Sequence, residues 1–220
     1  MSQRRERAER LCARGVVAVV RAGDGRRLPG VAGALLAGGV DCIEITMTAP
    51  NALEAIAACR ASFEDQALVG VGSVLDGETA RRAVDAGAGF VVSPVTKTDV
   101  IEAGHAADAP VVPGCITPTE MLAATEAGAD IVKVFPAGMF GPKYFKAVLA
   151  PMPHLKLMPT GGVNPNTAAA WIEAGAVTLG VGSALVTKAA VDSEDFGEIE
   201  RLAGEYVRIV AEARANAGAA

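Results

Sequence analysis

The sequence predicts an α/β fold: one (β/α)8 TIM barrel with an extra N-terminal helix. Short apolar runs rich in Val and Ile recur along the chain at roughly 20 to 27 residues per unit. Ala-rich stretches of helical periodicity separate them. Small-residue breaks ("AGGVD", "AGAGF", "AGAD", "AGAV") lie where each helix gives way to the next strand, and glycine is the usual helix stop. A length of 220 residues suits a single domain of this type, residues 1–220 throughout.

Residues 1–14 read as a solvated opening helix: Glu6 and Glu9 interleave with the arginines, and no apolar stretch follows as an export signal requires. Val16–Val20 is the first strand. The "RAGDGRR" after it lacks G-x-G-x-x-G, which disfavours the alternative of an open doubly wound sheet. Cys42–Thr46 leads into a helix over Ala52–Ala61, and Leu68–Val71 into one over Glu78–Ala86. Phe90–Val92 and Val111–Val112 follow, with a helix over Glu120–Glu126. Ile131–Phe135 and Leu155–Met158 come next, with a helix over Thr167–Glu173, and Thr178–Val181 is the eighth strand. These runs are apolar on both faces, as parallel strands covered by helices are. Ser193–Ala213 reads as the last helix and residues 215–220 as a frayed tail.

Composition narrows the function classes. Hydrophobic residues make up 51%, enough for a substantial core, whereas aromatics at 4% are too few for base-stacking platforms. With net charge −5 and no basic run in mid-chain, neither nucleic acid nor a membrane surface is an expected partner. No apolar stretch of about 18 residues is present to span a bilayer. Cys12, Cys42, Cys59 and Cys115 are too widely spaced for a zinc pattern or a small disulfide scaffold, so reduced thiols in cytoplasm are expected. His105 and His154 lack partners at ligand spacing, so no metal is expected. There is no G-x-S-x-G, and Cys115 reads as an ordinary loop thiol without a base.

In such a barrel, chemistry belongs at the C-terminal ends of the strands. Lys133 lies in "ADIVKVFPAG", within a run whose apolar walls disfavour an ammonium ion. It either snorkels to water or supplies an unprotonated amine for attack on a carbonyl. Lys156 also has apolar neighbours but sits nearer its strand's start and reads as structural or solvent-facing. Lys97, Lys143, Lys146 and Lys188 read as surface residues. Glu44 is an acid inside an apolar strand; a partner in Lys133 would explain both, either as a proton-transfer pair or as a structural ion pair. Arg21 ends the first strand and could hold a carboxylate or orient Glu44. "PTGGVNP" (159–165) and "GVGSAL" (180–185) follow strands seven and eight, the usual phosphate site of this fold.

Several segments together resemble the 2-keto-3-deoxy-6-phosphogluconate (KDPG) and 4-hydroxy-2-oxoglutarate aldolases. They are "VVAVVRA", "AGGVDCIEITMTAP", "VGVGSVLD", "AGAGFVVSP", "VVPGCITPTE", "AGADIVKVFPA", "MPTGGVNPNT" and "GVGSAL". The resemblance runs from about residue 14 to about residue 190. It implies a homotrimeric, cofactor-free and metal-free class I aldolase, a carbon–carbon lyase of carbohydrate metabolism in the Entner–Doudoroff pathway. Lys133 would form the imine and Glu44 would move protons. The phosphorylated keto-acid would rest on Arg21, Ser73, Pro113, Phe135, Thr160, Gly161, Gly162, Gly182 and Ser183. The chain has Thr48 where many members carry an arginine in the second-strand motif, and Ser73 where threonine is more usual. The galactonate-derived epimer is an alternative substrate. A phosphosugar isomerase or epimerase, or a non-catalytic binding barrel, would share the glycine loops without needing Lys133.

Overall fold

Alternation along the strands sorts their side chains into two apolar sets, and the computed structural model, which describes residues 2–21, 23 and 25–218, shows where each goes. The strands are β1 (Val16–Val20), β2 (Cys42–Thr46), β3 (Leu68–Gly72), β4 (Val91–Val92), β5 (Val111–Val112), β6 (Gly114–Cys115), β7 (Val132–Val134), β8 (Leu157–Pro159) and β9 (Leu179–Val181). One set, including Val17, Cys42, Leu68, Phe90, Val112, Ile131 and Met158, packs together with Leu11. The other, including Val16, Ala18, Ile43, Ile45, Val69, Val132 and Val134, packs with the helices.

All pairings are parallel, in the orders β5-β4-β3-β2-β1-β9 and β6-β7-β8. The expected fifth strand, Val111–Val112, is β5; beyond Pro113, which has no N–H to offer a ladder, an unexpected short strand, β6, joins the second sheet. The Pro113 carbonyl still accepts from the Lys133 N–H at 2.9 Å, and a parallel bridge pairs Thr160 with Gly180. The result is a curled parallel sheet of TIM-like arrangement, with helices alternating along it.

The helices are α1 (Gln3–Arg14), α2 (Leu28–Ala37), α3 (Ala52–Phe63), α4 (Gly77–Asp85), α5 (Thr98–Ala106), α6 (Pro118–Glu126), α7 (Pro142–Leu149), α8 (Pro165–Glu173), α9 (Lys188–Asp192) and α10 (Phe196–Gly218). Their starts follow sequence chemistry. Asp76, Thr117 and Asn164 cap α4, α6 and α8 with side-chain acceptors, and Thr117 with Glu120 forms a full capping box. On α8, the buried Trp171 meets the Phe145 ring of α7 edge-on, with centroids 4.9 Å apart.

The opening helix does more than solvate the N-terminus. Leu11, 1% exposed, joins the inner apolar cluster, and Arg10 and Arg14 pair with the buried Asp41 at 2.8 and 2.9 Å. The tail expected to fray from residue 215 is helical through Gly218; residues 219 and 220 lie outside the described residues. Arg214 anchors that end by donating to the carbonyls of Cys12, Ala13 and Val177 at 2.6 to 2.8 Å. Among the described residues, no helix is long and apolar enough to cross a membrane, and all four cysteines are free thiols.

Candidate active site

Within β2, Ile43 and Ile45 face the helices, so Glu44 points the other way with Cys42; within β7, Val132 and Val134 do the same and turn Lys133 inward. β2 and β7 are neighbours in neither sheet, so a contact between their side chains must cross the interior. Lys133 Nζ lies 3.9 Å from Glu44 Oε1, with the two side chains 6% and 1% exposed. The same ammonium stands 5.3 Å from the centroid of the Phe135 ring, a cation–π distance.

Burial pushes the Glu44 carboxyl above its ordinary range, while the charges of Lys133 and Arg21 pull it back. Among the described residues, neither Glu44 oxygen has a hydrogen-bond partner, nor do the hydroxyls of Thr160 and Thr178. Buried polar atoms are rarely left unpaired; of these residues Thr160 borders the neighbouring cavity, whereas Thr178 stands at the opposite end of β9 and does not. Two glycines make the room. A Cβ on Gly72 would lie 1.9 Å from Glu44 Oε1, and one on Gly180 would lie 2.2 Å from Thr160 Oγ1.

A cavity of about 380 Å³ opens beside this pair. It gathers Arg21, Phe135, Thr160, Gly161, Gly162, Gly182 and Ser183 from the sequence-derived set, together with Val19, Lys188, Val191 and Asp192. Lys133 and Glu44 are not among the residues that border it, but Phe135, whose ring lies 5.3 Å from the Lys133 amine, is. Gly161 and Gly162 have φ of 81° and 86°, a left-handed backbone open to glycine at little cost. Among the described residues, Gly161, Gly162 and Ser183 donate no backbone hydrogen bond. Adjacent free N–H groups suit an anion.

The other expected positions are placed differently. Ser73 follows Gly72 in a left-handed conformation, φ 61°, half-buried and off this cavity. Pro113 is buried, with its carbonyl committed to β7. Thr48 is exposed and shares a 2.8 Å hydrogen bond with Thr46. Lys156 is exposed and borders a separate cavity with Arg4, His154 and Asp130. His105, on α5, lies 3.3 Å from Asp130. Cys115 meets the Thr96 hydroxyl at 3.1 Å, and burial raises its thiol. Among the described residues, no group of three or more His, Cys, Asp or Glu could hold a metal ion.

Sequence reasoning put Gly180 in the loop motif "GVGSAL" but missed the room that Gly72 and Gly180 make, which depends on side chains of neighbouring strands. It also treated Lys188 as an ordinary surface residue. That lysine is exposed, yet it borders the cavity.

A family model described as "Aldolase: KDPG and KHG aldolase" matches residues 8–202. Over 154 residues the chain is 38% identical to the 2-dehydro-3-deoxy-6-phosphogalactonate aldolase of Escherichia coli (strain K12), covering 70% of this chain and 75% of that protein. Over 186 residues it is 36% identical to the 2-dehydro-3-deoxy-phosphogluconate aldolase of Pseudomonas aeruginosa, covering 84% of each. The structure of the KDPG aldolase of Legionella pneumophila, with pyruvate captured at low pH as a covalent carbinolamine intermediate, matches with a TM-score of 0.83. That match is 28% identical and covers 90% of this chain and 96% of that one.

Proposed function

The chain belongs to the KDPG and KHG aldolase family, and from that premise we propose that it is a class I, metal-independent aldolase. It cleaves KDPG reversibly to pyruvate and glyceraldehyde 3-phosphate, with 4-hydroxy-2-oxoglutarate as a second substrate giving pyruvate and glyoxylate. The observation that carries this is the buried pair Lys133–Glu44, 3.9 Å apart. The galactonate-derived epimer is a second reading, favoured by the 38% identity to an aldolase of that name.

In this mechanism the unprotonated Lys133 Nζ attacks the C2 ketone, and the carbinolamine loses water to give a protonated imine. That cation accepts the electron pair of the breaking C3–C4 bond, leaving an enamine. Glu44, as the carboxylate, takes the C4 hydroxyl proton as the aldehyde departs, then returns a proton to the enamine carbon. Water hydrolyses the resulting imine to pyruvate and free lysine. The Legionella relative, with its covalent carbinolamine, supports the first step. Gly161, Gly162, Gly182 and Ser183 would hold the phosphate with Thr160 beside them, and Arg21 and Ser73 would serve the keto-acid end. Phe135 would wall the amine, and Pro113 would fix β7 through its carbonyl.

Three further assignments belong to the same reading. The bridge at Thr160–Gly180 and the ladder through Pro113 support one closed (β/α)8 barrel over residues 1–220. Exposed Leu75, Val95, Met139 and Phe140 support self-association, as a homotrimer. The free thiols suit the cytoplasm.

Trapping tests the proposal. Incubation with pyruvate and borohydride should place one reduced adduct on Lys133, mapped by mass spectrometry. No adduct, or one spread over exposed lysines, would overturn the imine mechanism.

A further inference from the structure

We propose that Lys188 is a specificity residue for the substrate's phosphoryl group, and that it leaves Asp192 to engage it. This rests on the phosphorylated-substrate reading above and assigns that end of the site a side-chain cation. Lys188 and Asp192 both border the cavity that holds Gly161, Gly162 and Ser183. A phosphate on those backbone N–H groups would face the Asp192 carboxylate, an unfavourable like-charge encounter, unless a cation intervenes.

Lys188 is that cation. Its ammonium contacts Asp192 directly across one helical turn, with the lysine side chain 88% exposed. An exposed i,i+4 pair contributes little to stability, so giving it up costs little, whereas a lysine on a phosphate dianion makes a charge-assisted contact.

The carboxylate is not stranded by the exchange. Arg27 lies 3.5 Å from Asp192 through Nη1, donates to the Val191 carbonyl at 3.1 Å and reaches Glu194 at 3.5 Å. Asp192 therefore keeps a second cation after Lys188 swings away. Arg21 borders the same cavity, and with Lys188 it turns the rim net positive. The free chain holds the pair closed on itself, and a phosphorylated ligand opens it.

The test compares KDPG with 4-hydroxy-2-oxoglutarate, which lacks the phosphoryl group, in the wild-type chain, Lys188→Gln and Asp192→Asn. Titration calorimetry with inorganic phosphate runs alongside. Lys188→Gln should raise KM for KDPG about tenfold, leave 4-hydroxy-2-oxoglutarate unchanged and weaken phosphate binding to match. Asp192→Asn should lower the KDPG KM. Equal effects on both substrates, or none on either, would overturn the inference, as would an unchanged or raised KM in Asp192→Asn. If the wild-type chain turns over neither substrate, the aldolase reading falls, and the phosphate titration alone still decides the role of Lys188.

Discussion

Gly72 and Glu44 compete for one volume: a Cβ on the glycine would lie 1.9 Å from the carboxylate's Oε1. The carboxylate therefore stands where β3 has no side chain. Gly72→Ala should destabilise the fold by about 1–3 kcal/mol and reduce turnover by displacing Glu44. In a Glu44→Ala background the added methyl finds room, so a double-mutant cycle in urea should return a coupling of about 0.5–3 kcal/mol. Additive effects would mean that the two residues do not share that space.

Replacing Glu44 with Gln should cost about 10²- to 10⁴-fold in kcat and abolish the acidic limb of the pH–rate profile. The stability effect has the opposite sign. Burial raises the folded carboxyl above its ordinary value of 4.5, so protonation favours the fold and ionisation opposes it. Below about 4.5 both states hold the proton and the wild-type contribution is complete. As pH rises towards the folded group's value, the unfolded glutamate ionises first and that contribution is lost. Relative to the wild-type chain, Glu44→Gln should gain stability from about pH 4.5 upwards. Parallel unfolding curves across pH 4 to 8 would refute this.

Leu11 is 1% exposed and enters the inner apolar cluster from α1, with the partly buried Cys12 packed beside it. Leu11→Ala should cost about 2–5 kcal/mol in urea unfolding. A loss below about 1 kcal/mol would mean that α1 only lies against the sheet.

Tyr206 is 0% exposed, and among the described residues its hydroxyl has no hydrogen-bond partner. Tyr206→Phe should leave stability unchanged or raise it by about 1 kcal/mol. A loss of more than about 1 kcal/mol in the same assay would reveal a partner for that hydroxyl.

Much of this was legible because charge inside an apolar strand is anomalous in one dimension. Lys133 and Glu44 stand out without any structure, and the two glycine loops stand out by position in a repeating pattern. The short strand β6 beyond Pro113 was not legible, because two residues, Gly114 and Cys115, carry no strand pattern of their own. Lys156 reads as structural or solvent-facing from its place near a strand start, and it is exposed, just ahead of β8. Gly72 was opaque for a different reason: what it spares lies 28 positions earlier, on a neighbouring strand. Lys188 belongs to both surface and site, a distinction that spacing cannot draw.

Trp171 is the chain's single tryptophan, and its edge-on packing against Phe145 has an optical consequence. Its fluorescence reports on the seam between α7 and α8. Emission should shift to the red when that seam opens, and ligand occupancy of the cavity, which Trp171 does not border, should leave it nearly silent. One intrinsic fluorophore thus serves as a clean readout of unfolding, and substrate binding calls for an extrinsic probe.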